Sequence, residues 1–380
     1  MIEEDCMRVD LITRIEDVHA LRREWDQLAL LDRRDGFFRT PSWYLAWMKH
    51  IRPDAQPFVV VVRDDAGRLL GLAPLCAGRF KEWGFNLRAV GFGGREVVSG
   101  DYLGFPTVPD GRRQILDAIL QFLWSTRSAW SLLVLGEVLV GSELHAAVES
   151  WGLQNKLPVR LQEERICPYI ALPDSFEQFL ASVSYNARYE IRSDTRKLFN
   201  KLGGTIESYF NAEVSDKLDI LVDLHLARWK LKNLPGTLDQ PCFLAFLREF
   251  CGDLPAGATA RLRVLRYQGR PVAGYLTFKY GDSVFSYQTG WDAGSPAARY
   301  SLGTVLTAQA VKDAIEKGFR YYDLLRGDES YKWRLTKSYR KTVTFLFGQT
   351  LAARGYLGAA GAKDVVKRVL QRNRPVAVPA

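Results

Sequence analysis

Residues 321–333 read Tyr-Tyr-Asp-Leu-Leu-Arg-Gly-Asp-Glu-Ser-Tyr-Lys-Trp, aromatic and aliphatic at first and then crowded with charge from Arg326 to Lys332. A buried strand that ends in a charge cluster usually delivers those charges into a cleft. Arg326 offers a planar fork that fits a phosphate or carboxylate. Asp323 and Glu329 are the carboxylates available to orient or deprotonate an amine. The plainer reading of the same residues is a structural ion network at a strand end. A second place is 298–304, Ala-Arg-Tyr-Ser-Leu-Gly-Thr, where a helix begins and Gly303 lets backbone N–H groups approach a ligand. Free donors and a partial positive charge at such a start suit a pyrophosphate, although an ordinary Ser-capped helix has the same letters.

Other polar groups fall at spacings that gather them. Arg188, Arg192 and Arg196 recur every four residues, either a solvated face or a surface for an anionic substrate. His225, Arg228 and Trp229 cluster on one helix face at i, i+3 and i+4. Along 283–292 the alternation of a strand places Ser286, Gln288 and Gly290 on one side and Tyr287, Thr289 and Trp291 on the other. Gly290 would let a ligand approach that strand closely.

These residues need elements to hold them. Periodicity predicts strands at 8–12, 58–63, 69–76 and 130–135, with helices at 18–30, 42–50 and 111–126. The second half predicts helices at 176–180, 186–201, 214–231, 243–251 and 303–317, with strands at 205–209, 261–267, 271–280, 284–291, 319–325 and 342–347. Strand, helix, helix, hairpin, strand, helix and strand thus recur in each half, which suggests a duplicated α/β unit. At 380 residues the chain is long enough for two cores.

The 321–333 stretch also resembles the signature of GNAT-related acyltransferases of the CelD and FemAB-like group, whose last core strand reads roughly D-x-x-R-G-x-x-x-Y-K. Asp323, Arg326, Gly327, Tyr331 and Lys332 carry the match. The likeness runs from about residue 10 to about residue 350 and is sharpest at 184–202, 224–229, 271–291 and 299–333. It implies an α/β (α+β) fold of two tandem GNAT-like lobes, 1–165 and 166–350, each a mixed and mostly antiparallel sheet flanked by helices. A basic tail, 351–380, follows.

The resemblance also implies roles. Acetyl-CoA would lay its pyrophosphate on Arg299, Ser301, Gly303 and Thr304, and its pantetheine along Gln288 and Gly290. Lys332, in an aromatic-Lys pair with Tyr331, would stabilise charge on the carbonyl oxygen, assisted by Asp323 and Glu329. Arg188, Arg192, His225, Arg228, Trp229, Arg326 and Tyr331 would face the acceptor, a sugar or lipid-linked exopolysaccharide precursor. A Fem-type aminoacyl transferase using charged tRNA is the rival, and a non-enzymatic sensor of cyclic dinucleotides or other anions a further one.

Composition narrows the field. The net charge of +9 favours anionic partners, yet no zinc-finger, helix-turn-helix or RNA-recognition spacing suggests sequence-specific nucleic-acid binding. Five scattered cysteines and four dispersed histidines indicate neither a disulfide framework nor a metal site. No P-loop, Rossmann glycine triplet, G-x-S-x-G or H-E-x-x-H is present. The acidic start Met-Ile-Glu-Glu-Asp is unlike a signal peptide, and the longest apolar run, 130–140, contains Glu137, so a cytoplasmic protein is expected, with a peripheral place at the inner membrane left open. In the tail, a helix at 362–372 followed by a disordered end is expected. Arg368 and Arg372 form an R-x-x-x-R pair resembling the arginine motif of cyclic-di-GMP-binding PilZ domains, a docking point for a cyclic dinucleotide or an acidic membrane.

Overall fold

The computed structural model describes residues 7–230 and 236–372. One twelve-stranded sheet runs through the molecule in the order β1-β2-β3-β4-β5-β12-β6-β11-β10-β9-β8-β7. Its first half holds β1 (Met7–Ile12), β2 (Gln56–Asp64), β3 (Leu69–Glu82), β4 (Phe85–Phe92) and β5 (Leu132–Leu139). The second half holds β7 (Thr205–Phe210), β8 (Thr259–Tyr267), β9 (Arg270–Tyr280), β10 (Ser283–Trp291) and β11 (Tyr321–Asp323). Each half is an antiparallel meander of four strands followed by one parallel partner, β4 with β5 and β10 with β11. The two lobes therefore repeat one plan. They exchange their last strands: β6 (Val159–Ala171) closes the second lobe on β11, β12 (Tyr339–Gly348) closes the first on β5, and the two pair with each other.

Helices cover the sheet where its strands are apolar on both faces. α1 (Ile15–Leu30), α2 (Pro41–His50), α3 (Arg112–Ser125) and α4 (Glu143–Gln154) serve the first lobe. α5 (Phe176–Ser182), α6 (Tyr185–Arg196), α7 (Ala212–Lys230), α8 (Pro241–Gly252) and α9 (Leu302–Glu316) serve the second. Phe37, Trp43, Phe246, Phe250, Phe278 and Phe285 join the lobes in one aromatic cluster, with Phe37 stacked on Phe285 and Trp43 edge to face with Phe246 and Phe250. The tail differs from expectation. Leu351–Arg372 is one continuous helix, α11, whose Ala353, Tyr356 and Leu357 are buried against β4 and β12. The side chains of Arg368 and Arg372 lie outside the described residues, as do residues 373–380. Among the described residues no helix is long and apolar enough to cross a membrane.

One half-buried carboxyl sets a pH dependence. Asp26 on α1 has an Oδ1 without a hydrogen-bond partner, and burial pushes its pKa up to about 6, with Arg22 pulling down less strongly. A carboxyl raised in this way contributes full stability below its ordinary value of 3.8 and loses it as pH rises through about 6. Asp26→Asn is therefore expected to stabilise the protein at pH 8 by about 1 kcal/mol, after discounting for its partial exposure, and to give no gain near pH 4. Urea midpoints at the two pH values check this; equal shifts at both would refute the assignment.

Candidate active site

The parallel pair β10–β11 holds register for only three residues, Ser283 to Phe285 against Tyr321 to Asp323. Beyond Asp323 the chain follows β6 instead, with Leu324 N–H donating to Pro168 O (2.9 Å) and Gly327 N–H to Ile166 O (2.9 Å). β10 meanwhile bulges at Tyr287, since Ser286 opposes Thr277 while Gln288 opposes Leu276. The strands splay, and the splay is the cleft of the second lobe.

The bulge changes which residues share a face. Thr277 and Leu276 point to opposite sides of β9, so Ser286 and Gln288 do as well. Ser286, Thr289 and Trp291 face α9, while Gln288 and Gly290 face α7; this corrects the face shared by Ser286, Gln288 and Gly290. Gly290 has a different task from admitting a cofactor. A Cβ there would lie 2.4 Å from the backbone nitrogen of His225, so its absence lets α7 lie against the strand. Ser286 instead joins a buried hydroxyl chain, accepting from Tyr275 at 2.7 Å, and Tyr275 in turn meets Tyr322 at 2.7 Å.

At the end of β10, Trp291 is stacked under the Arg228 guanidinium (3.8 Å to the ring centre), and Arg228 Nη1 donates to Thr289 Oγ1 at 3.2 Å. A Cβ on Gly303 would stand 3.7 Å from the same Trp291 ring, an ordinary contact with open space around it. Arg228, Trp291 and the first turn of α9 thus form one cluster, and Arg228, expected on the acceptor side, belongs with the helix start. Ser301 does not cap α9. It is left-handed at φ 42°, and its hydroxyl donates to Glu190 Oε1 at 2.6 Å. Glu190 also binds Arg334. The first-turn N–H groups of Leu302, Gly303 and Thr304 consequently have no side-chain cap. Arg299 is exposed and stacked on its neighbour Tyr300.

The expected acceptor residues divide. His225 is 3 % exposed, its Nδ1 is 3.1 Å from Thr289 O, and its Nε2 lies 3.2 Å from where a Cβ on Gly236 would be. Burial holds its pKa below the ordinary histidine value, so the ring is neutral at pH 7. It ties helix to strand and is closed to an acceptor. Trp229 packs beside it at 5.8 Å. On α6, Arg192 pairs with Glu177, and Arg188 is half-buried with an unpartnered Nε. Together with the exposed Tyr185 and Tyr189 they border a surface groove of about 420 Å³.

The motif 323–332 is mainly an inter-lobe tie. Asp323 is buried and accepts from Tyr102 Oη (2.9 Å), Arg340 Nη2 (2.8 Å) and Leu325 N–H (2.8 Å). Arg326 binds the fully buried Asp101 through both its guanidinium and its backbone N–H, and reaches Gly100 O and Glu137. Neither is free to act on a substrate, which corrects the catalytic and clamping roles expected of them. Lys332 is 3 % exposed. Its ammonium donates to Arg326 O (2.7 Å) and Leu325 O (3.1 Å) and pairs with Glu329 at 3.0 Å. An ammonium so occupied organises the loop, and its expected role as an open oxyanion cation is corrected accordingly. Tyr331 and Glu329, the latter paired with Lys332, lie near Arg228, whose pKa burial lowers while these two neighbours pull it back up. Burial pushes the Tyr331 phenol up, so it is protonated throughout the neutral range.

Comparisons with known proteins bear on the fold that carries these residues. Residues 185–333, from α6 through α10 (Ser330–Leu335), match the family described as Acetyltransferase (GNAT) domain. The second lobe is thus similar to a GNAT acetyltransferase domain, and the chain as a whole has a tandem GNAT-like fold. Solved structures share that fold at low identity. FemX superposes with a TM-score of 0.60 at 12% identity, over 90% of this chain and 97% of that one. The C-terminal domain of a putative lysylphosphatidylglycerol synthetase from Agrobacterium fabrum gives 0.54 at 12%, over 91% and 96%. L-PGS from Bacillus licheniformis gives 0.52 at 13%, over 95% and 98%. No curated protein sequence matches the chain significantly.

Proposed function

We propose that the chain is an acyltransferase that moves an acyl group, acetyl first among candidates, from acyl-CoA to an amino or hydroxyl group of a sugar or exopolysaccharide precursor. The observation that carries this reading is the uncapped start of α9, open at Gly303 and flanked by Trp291 and Arg228. Three free N–H groups, the helix dipole and a guanidinium suit a pyrophosphate. The pantetheine would enter the β10–β11 splay and pair with main-chain groups at the Tyr287 bulge, as an added strand does.

The acceptor nitrogen or oxygen attacks the thioester carbonyl carbon, the C–S bond breaks, and the thiolate leaves as CoA. Glu329 is placed to take the acceptor's proton, and the protonated Tyr331 to supply one to the leaving sulfur. Charge on the carbonyl oxygen falls to main-chain donors at the bulge rather than to Lys332. No covalent intermediate on the protein is required.

The test is calorimetric titration with acetyl-CoA. Saturable binding is expected in the parent protein, with a loss of at least about 100-fold in Gly303→Asp, whose carboxylate would repel the pyrophosphate. An unchanged dissociation constant in a folded Gly303→Asp protein would remove the assignment. A second reading, aminoacyl transfer from charged tRNA, draws support from the exposed Tyr185 and Tyr189 interleaved with Arg188, Arg192 and Arg196, which could stack bases and neutralise phosphates. Salt-sensitive tRNA binding without any acetyl-CoA binding would favour it.

A further inference from the structure

The first lobe repeats the splay. β4 and β5 hold parallel register only from Ala89 to Gly91 against Leu132 to Val134 and then separate. On one side of that opening lies a cavity of about 320 Å³, walled by the end of α2 and by α11 with no residue from α3. Its lining is unusually rich in guanidinium groups: Arg52, Arg79, Arg95, Arg165 and Arg326 face Glu82, Glu96 and Glu137.

The pairing within this set is uneven. Arg326 and Arg165 share Glu137, each at 3.2 Å. Arg52 is held by Glu96 and Asp54. Among the ion pairs and hydrogen bonds of the described residues, Arg79 and Arg95 have no carboxylate partner. Arg79 is exposed, whereas Arg95 is half-buried, and burial pushes its pKa below the ordinary arginine value while Glu137 and Glu96 pull it up. The chain makes room for it. A Cβ on Gly136 would fall 2.3 Å from Arg95 Nε and 2.4 Å from its Cζ, so a glycine in β5 is what admits the guanidinium. The Arg95 backbone is fixed as well, its carbonyl accepting from Trp47 Nε1 at 3.0 Å.

A half-buried guanidinium that lines a cavity, always charged and lacking a carboxylate, suits an anion. We infer that the β4–β5 cavity of the first lobe is a second ligand site, which takes the phosphate group of a small organic phosphate on Arg95 and Arg79. Two uncommitted forks match a dianion better than a carboxylate. Trp47, Phe80 and Phe92 in the same wall would cover an apolar part of the ligand. The site is independent of the α9 cluster, which belongs to the other lobe, so it does not rest on the acyl-CoA reading.

The full-length chain is titrated with inorganic pyrophosphate, and with acetate at matched ionic strength. Arg95→Met is expected to remove one binding step, and Gly136→Ala to weaken it by at least tenfold by expelling the guanidinium, while Gly303→Asp leaves that step in place. Arg270→Met, at the exposed start of β9 in the other lobe, should change nothing. No saturable pyrophosphate binding in the parent, or the same step surviving in a folded Arg95→Met protein, would overturn the inference. Acetate binding as tightly as pyrophosphate would overturn the phosphate assignment.

Discussion

Arg340→Met should lower the stability of the chain by about 3–5 kcal/mol, the usual consequence of leaving buried charges without their partner. Arg340 Nη1 reaches both oxygens of Asp35 (2.7 and 2.9 Å) and Nη2 reaches Asp323 at 2.8 Å, with the guanidinium stacked 4.0 Å over Tyr102. Asp35 and Tyr102 come from the first lobe, Asp323 from the second, and Arg340 from the strand the lobes exchange. The loss should depend on pH. Burial raises the Asp323 carboxyl above its ordinary value, and Arg340 is the largest influence pulling it back. A carboxyl raised in the folded state gives its stability below the ordinary carboxylate range and loses it as pH rises through the folded value. Without Arg340 only the Leu325 N–H and the Tyr102 hydroxyl oppose the push from burial, so Asp323 titrates higher and the deficit widens above neutrality. Urea unfolding at pH 7.5 and pH 5 should show the larger deficit at pH 7.5. A deficit under 1 kcal/mol, or one that does not change with pH, would mean that the lobes are held mainly by the aromatic cluster. Arg340→Lys should recover only part of the loss, because one ammonium cannot fork between two carboxylates.

The same residues show what the sequence could and could not reveal. The duplicated order of strands and helices was legible because each element has its own period, and the signature at 323–332 was legible as a motif. Its purpose was not, since the partners Asp101, Tyr102 and Gly100 lie in a stretch of aromatics and glycines with no periodicity. β6 was hidden more completely. Arg160, Glu163, Glu164 and Arg165 interrupt its apolar pattern and Pro168 discourages a central strand, yet β6 pairs on both sides and carries the strand exchange. The faces of β10 were misread for a local reason: one extra residue at Tyr287 reverses the alternation beyond it, and nothing in Ser-Tyr-Gln announces a bulge. Gly290 and Gly303 look alike as letters. One faces a helix backbone at 2.4 Å and the other open space beside Trp291, a difference only the tertiary packing makes.

Lys332→Met separates two meanings of the aromatic-Lys pair. A cation that stabilises charge only in the transition state can be removed with little effect on folding, lowering kcat by roughly 10²–10³ and leaving the donor KM nearly unchanged. The structure leads to a different expectation. Leu325 (φ 57°) and Gly327 (φ 116°) are both left-handed, a conformation that a non-glycine residue such as Leu325 adopts only when its surroundings hold it. The Lys332 ammonium holds this turn by donating to the carbonyls of Leu325 and Arg326 and pairing with the Glu329 carboxylate. Removing it leaves two carbonyls in a poorly hydrated place, at about 1–3 kcal/mol each at most. Lys332→Met should therefore lose about 2–4 kcal/mol of stability and make 325–329 susceptible to proteolysis. Transfer should fall with it, because Glu329 and Tyr331 are displaced together. Lys332→Arg keeps the charge, but a guanidinium does not fit a site of 4 % side-chain exposure, so it should fail much as methionine does. Full stability in Lys332→Met with an isolated collapse of kcat would restore the ammonium to the reacting carbonyl and displace the bulge donors from that task.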